Sequence, residues 1–360
     1  MESASGQVLF PVEQRVPGRE ISERITRLQR AIVLAGADAF LVTYKIDLLY
    51  FAGTAQNGVL YVPSKGSSSL FVRKHLSRAE SESSIAQIKG IASIKELPSR
   101  VEQEYGALPQ VLGTAWDVMP AREFLFIKEL FSARVHVDAS PMIHRVRSIK
   151  SGWEKKQIRK ASSIAEETLQ HLETKTYPGM SATHAEGVAE AFARRLGHGG
   201  GIRVRHPCQD PHSVRIGCGT LPCPRIPAKG SPLTLGFRAS VNGYHAEEAR
   251  PVSSAGTWRF GDEESLFLEF LEACVARTMR AGAPIMEPAR TAKEGLALYR
   301  KALPPASLIF NCRGIGLELW EPPFLQLQPY AVLEEGMCLS VEVGLLGDRG
   351  DCVSRTGTYE

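Results

Sequence analysis

Near residue 150 the chain changes texture, and that change limits the folds open to it. Before it, short apolar runs alternate with amphipathic stretches. Ser22 opens a helical pattern with Ile25, Leu28, Ile32 and Leu34 roughly on one face, ending near Gly36. The run at 39–42 has the length of a buried strand, and 48–51, 59–62, 69–72, 110–114 and 135–138 read as further strands, with a helix over 117–131. Such alternation predicts a layered α/β domain. From Pro141 to about Glu173 helix formers take over, until Pro178-Gly179 stops them. Ser181 then caps a helix running to Leu196. From Ile202 strands dominate, interrupted by helices around 262–281 and 291–303. We therefore expect an arm over 1–17, an α/β domain over 18–150 and an α+β domain over 151–360, with the boundary at 148–152 inside a linking helix. The segment 207–229, rich in Pro, Gly and Cys, reads as an irregular loop.

A length of 360 residues suits two domains. Lys and Arg exceed Asp and Glu by 43 to 39, a surplus too small to argue for nucleic acid or an anionic membrane as partner. No run of 18 apolar residues is present, so no transmembrane helix is predicted. Met1 to Pro17 lacks the basic start and apolar core of a signal peptide. Seven scattered cysteines form no disulfide framework and point to a reducing cytoplasm.

Three stretches of the second half carry a resemblance. The first, Leu233 to Pro251, reads LTLGFRASVNGYHAEEARP; the second, Cys312 to Pro323, reads CRGIGLELWEPP; the third runs EGMCLSVEVG from Glu335 and GDCVSRTGTY to Tyr359. They resemble the signature blocks of the methionine aminopeptidase, aminopeptidase P, prolidase and creatinase family. The phrase Arg147-Ser148-Ile149-Lys150-Ser151, with Glu154 and Ala161, resembles the start of that family's second domain. The GADAFLVT stretch and the Tyr50–Gly53 step resemble its creatinase-type N-terminal domain. The resemblance covers nearly the whole chain and implies a creatinase-type α/β domain followed by a pita-bread α+β domain. It also implies a homodimer in which one subunit's N-terminal domain covers the other's cleft.

The family's chemistry needs two divalent metals held by two Asp, one His and two Glu, which together activate a water to attack an amide. Transferred residue by residue, the first Asp position falls on Gly236 and the second on Glu247. The His position is Arg313, and the auxiliary His is Trp320. The first Glu is kept as Glu342, while the second falls on Thr356. Cys223 is a weak counterpart for the His of the earlier loop. Two carboxylates remain, and Arg313 adds a permanent cation. We therefore expect a site without metals or other cofactor. In it Arg313 pairs with Glu342, Glu247 lies alongside, and Arg250 completes the charge balance.

Other residues bear weighing. His206, Cys208, His212, Cys218 and Cys223 crowd one loop and could bind zinc, but their spacing matches no standard ligand pattern; they read as unligated loop residues. Cys312 beside Arg313 could be a low-pKa thiol, but reads as a small residue where the family has Gly. His245 could act as acid or base, but reads as an exposed hairpin histidine. Gly314 and Gly316 carry no phosphate-loop context and read as close strand packing. The functional expectation is a peptidase-like protein without peptidase activity that binds a small molecule, a peptide or a protein partner. The alternatives are a metal-independent hydrolase using Glu247, Glu342, His245 and Arg313, as creatinase is within the family, and an active Xaa-Pro peptidase with atypical ligands.

Overall fold

Four consecutive apolar residues, Ala39–Val42, form strand β1, buried on both faces. A strand without a polar face belongs in the middle of a sheet covered on both sides. β1 does sit inside a mixed six-stranded sheet, order β4-β3-β2-β1-β5-β6, with β2 Gly58–Pro63, β3 Ser69–Val72, β4 Gln87–Gly90, β5 Val111–Thr114 and β6 Val135–Asp138. The helices of this part are α1 Gly18–Leu34, α2 Lys45–Ala52, α3 Leu76–Glu82, α4 Leu97–Tyr105, α5 Ala121–Phe131 and α6 Ser140–Ser148. One face of the sheet packs Leu41, Val59, Tyr61, Phe71 and Leu112 against Leu97, Val101, Ile127 and Phe131.

This computed structural model describes residues 15–175, 177, 180, 182–199, 233–252, 262–299, 306–347 and 352–360. Most of the expected N-terminal arm and all of the segment 207–229, with its His and Cys cluster, fall outside them. The chain divides into two units, Met1–Arg147 and Ser148–Glu360. Among the described residues no helix is long and apolar enough to cross a membrane.

Three local readings need correction. The apolar run 48–51 is helical, within α2; its C-cap Gly53 takes the left-handed conformation, and Asp47 in its first turn pairs with Arg147 Nη1 at 2.9 Å. A short apolar run does not by itself distinguish strand from helix. In α1 the inward face is Ile21, Arg24, Leu28 and Ile32, whereas Leu34 is exposed. The long helix expected from Pro141 is two, α6 and α7 (Gly152–Lys175), with Ile149-Lys150-Ser151 between them.

The second unit is built on an antiparallel sheet, order β10-β9-β11-β12-β8-β7. Its strands are β7 Leu233–Val241, β8 Tyr244–Val252, β9 Ala306–Gly314, β10 Glu321–Phe324, β11 Leu339–Gly347 and β12 Cys352–Tyr359. Asn242 and Gly243 both have positive φ, 50° and 84°, and close a two-residue hairpin between β7 and β8. Such a turn fixes the register of everything beyond it. Helices α7 and α8 (Ala182–Arg195) cover one part of a single sheet face through Leu235, Phe237, Ala239 and Ala246. Helices α9 (Asp262–Thr278) and α10 (Met286–Tyr299) cover the rest through Cys312, Val341, Val343 and Val353.

Candidate functional site

Side chains alternate across a strand, so the residues between those core positions point to the opposite face. Strand pairing lines them up in two rows. One row runs Gly236, Ala249, Thr356, Glu342, Asn311. The neighbouring row pairs Arg238 with Glu247 at one end, and Thr358 with Ser340 and Ser340 with Arg313 at the other. Thr358 Oγ1 joins the two ends, accepting from the Glu247 amide and donating to its carbonyl, both at 3.0 Å. The five positions taken from the family blocks, Gly236, Glu247, Arg313, Glu342 and Thr356, thus share one face of one sheet. That face is polar and buried: Glu247, Arg313, Ser340, Glu342 and Thr356 are each less than a tenth exposed.

A buried carboxylate needs a counter-charge, and among the described residues two guanidiniums face Glu247. Arg313 Nη2 donates to its Oε2 from β9, and Arg238 Nε donates to its Oε1 at 3.1 Å from β7. From β9 to β8 is three strand spacings, about 14 Å on a flat sheet. A long side chain is needed to close that gap, and the row positions between, Ser340 and Thr358, are small. Arg313 Nε donates to the Leu319 carbonyl at 2.9 Å, and its guanidinium lies 4.3 Å from the centroid of the Trp320 ring. Trp320 itself is half exposed.

This differs from the sequence reading in two ways. Among the described residues Arg313 pairs with Glu247, and Glu342 stands one diagonal step from Arg313, opposite Asn311 and Thr356. Arg250 is not in the site. It lies three residues from Glu247 on β8, an odd offset, and so faces α7, where it pairs with Glu166 and Glu173 at 2.6 Å each. Arg238 takes the balancing role assigned to it. The register made Arg238 visible in the sequence: it stands four residues before the Asn-Gly turn, as Glu247 stands four after.

His245 is not an exposed hairpin residue. Its Nδ1 lies 3.3 Å from the Gly316 carbonyl, its amide donates to the same oxygen at 2.7 Å, and burial lowers its pKa. Cys312 points to the helix-covered core, and burial pushes its thiol up to about 12, which removes the thiolate needed of a nucleophile. A Cβ on Gly314 would lie 2.3 Å from the Pro322 carbonyl oxygen, and one on Gly316 would lie 2.2 Å from Glu321 Oε1. Both glycines serve close packing.

The residues present do not fit a pair of divalent cations. Gly236 offers no side-chain donor, Thr356 a neutral hydroxyl, and Arg313 a cation, while the carboxylate of Glu247 already faces two guanidiniums. Among the described residues no group of three or more His, Cys, Asp or Glu is placed to hold a metal. Among the described residues Ser340 Oγ and Thr356 Oγ1 are buried without a hydrogen-bond partner.

Comparison with known proteins agrees with this architecture. Residues 24–149 match the creatinase/prolidase N-terminal domain and residues 156–357 match metallopeptidase family M24, so the chain belongs to that family. It is 23% identical over 340 residues to the uncharacterized peptidase YqhT of Bacillus subtilis (strain 168), covering 89% of this chain and 90% of that protein. Its fold is similar to that of an Xaa-Pro dipeptidase from Bacillus anthracis, with a TM-score of 0.79, 22% identity and coverage of 94% of this chain and 96% of that one. An X-Pro aminopeptidase from Thermotoga maritima MSB8 gives 0.78, 18%, 92% and 96%. The fold is the pita-bread architecture behind a creatinase-type N-terminal domain.

Proposed function

We propose that this chain is an Xaa-Pro peptidase-like protein that has lost its dinuclear metal site and its peptidase activity, and that it binds a small molecule or a peptide in the same cleft. The observation that carries the reading is the buried Arg238–Glu247–Arg313 arrangement. A metal-bridging carboxylate has been given two permanent cations, and guanidinium does not deprotonate in the physiological range. With Glu342, the described residues of the face set two guanidiniums against two carboxylates. We further propose a homodimeric, cytoplasmic protein; the free thiols of Cys274, Cys312 and Cys338 accord with a reducing compartment. The metal-independent hydrolase is the weaker reading, because both His positions of the second block are Arg313 and Trp320, and the ring of His245 lies against a backbone carbonyl.

The test is a panel of Xaa-Pro dipeptides and longer Xaa-Pro peptides with added Mn or Co. Activated water and charge stabilisation are each worth several kcal/mol of barrier, so turnover stays at background. Turnover that disappears in Glu342→Ala refutes the reading.

A further inference from the structure

We propose that Arg238 is the ligand-binding residue of this face, and that it takes the carboxylate of a small organic anion where the family's chemistry uses metal cations. The inference rests on the metal-free reading above and adds the chemical class of ligand to it.

Arg238 sits on β7, the edge strand of the sheet. Its Nε is held by Glu247 Oε1 at 3.1 Å. No other hydrogen bond or ion pair engages its guanidinium among the described residues. That one contact fixes the plane of the group and leaves both Nη nitrogens, four N–H donors, without acceptors. Its neighbours are sealed: the side chains of Arg313 and Glu247 are 0% and 1% exposed, whereas that of Arg238 is 15% exposed. The open end of the fork is therefore the part of this cluster that an incoming molecule meets.

Two further observations indicate what that molecule carries. Among the described residues Arg238 and Arg313 both pair with Glu247, two cations to one carboxylate. Glu342, another acid of this face, lies on β11, three strands from β7. An anion is favoured at the β7 end and a second cation is not. The row beside Arg238 and Glu247 begins with Gly236, which has no side chain, and Ala249, which has a methyl group. It continues to Thr356, whose buried Oγ1 has no partner. A small floor thus lies next to the free fork, with an unused hydroxyl at its far side. The two parallel N–H groups at the end of a guanidinium match the two oxygens of a carboxylate.

Calorimetric titration of the full chain at constant ionic strength tests this. The probes are acetate, benzoate and N-acetylproline, their amides, benzylamine and inorganic phosphate. We expect the carboxylates to saturate one site per chain. Their amides and benzylamine bind at least about tenfold more weakly, and phosphate does not compete at equal concentration. Arg238→Gln abolishes the binding. Arg238→Lys, which keeps the charge and a contact to Glu247 but loses the fork, weakens it by about tenfold. Urea midpoints confirm that both variants fold, and the Lys variant carries the test if the Gln variant does not. The proposal is overturned if amides bind as well as acids, if phosphate binds in their place, if no carboxylate of the panel binds below about 10 mM, or if Arg238→Lys binds like the parent. A chain that takes up metal and cleaves peptides overturns the metal-free reading. A metal-free chain that ignores carboxylates overturns this proposal alone.

Discussion

Arg313→Ala lowers the unfolding free energy by about 3–5 kcal/mol, because it breaks a buried ion pair from one side. The guanidinium is fully enclosed, and three groups lose a partner together: the Glu247 carboxylate, the Leu319 carbonyl and the Trp320 ring. Arg238 still faces Glu247, so the variant folds and its loss is measurable by urea titration. Arg238→Ala costs less, about 1–2 kcal/mol, since that side chain keeps some contact with water. A change below about 1 kcal/mol in Arg313→Ala, the value of an exposed pair, would mean that Arg313 is solvated rather than built into the sheet.

The sequence made the sheet's register legible and left the side-chain partners undetermined. The Asn242-Gly243 turn and strict alternation on β7 and β8 suffice to place Gly236 and Glu247 on one face and Arg250 on the other. By that alternation Arg250 falls on the helix-covered face, and Arg238, four residues before the turn, falls on the site face beside Glu247. The pairing of Arg313 was harder to foresee. It crosses two intervening strands, a reach that no local pattern encodes. In the first unit the run 48–51 had too few residues for periodicity to separate strand from helix; only the left-handed Gly53 marks where the helix stops.

Lys150 bears the second large effect. Its ammonium pairs with Glu321 Oε1 at 2.7 Å, with side chains 1% and 4% exposed, and lies 3.3 Å from the Ser148 carbonyl. Its own amide donates to the Gly336 carbonyl at 2.7 Å. The pair ties the segment between α6 and α7 to β10, the strand beside Arg313. Lys150→Met removes the buried ammonium beside the Glu321 carboxylate and costs about 3–5 kcal/mol; adding Glu321→Leu recovers much of it, since a matched apolar pair needs no counter-charge. Arg159→Ala provides the contrast. That arginine also pairs with an acid, Glu360, but its side chain is 65% exposed. Its loss leaves the urea midpoint nearly unchanged, because solvent screens an exposed pair. Equal effects for Lys150→Met and Arg159→Ala in urea titrations would contradict the buried pair.

The central claim is that two guanidiniums have taken the place of two metal ions around Glu247. Titration of the metal-stripped chain with Mn²⁺ and Co²⁺, followed by elemental analysis after dialysis, tests it most directly. The arrangement described here predicts no stoichiometric uptake of either ion and no change in thermal midpoint on their addition. Retention of one or two ions per chain, lost together with that stabilisation in Glu247→Ala and in Glu342→Ala, would contradict it.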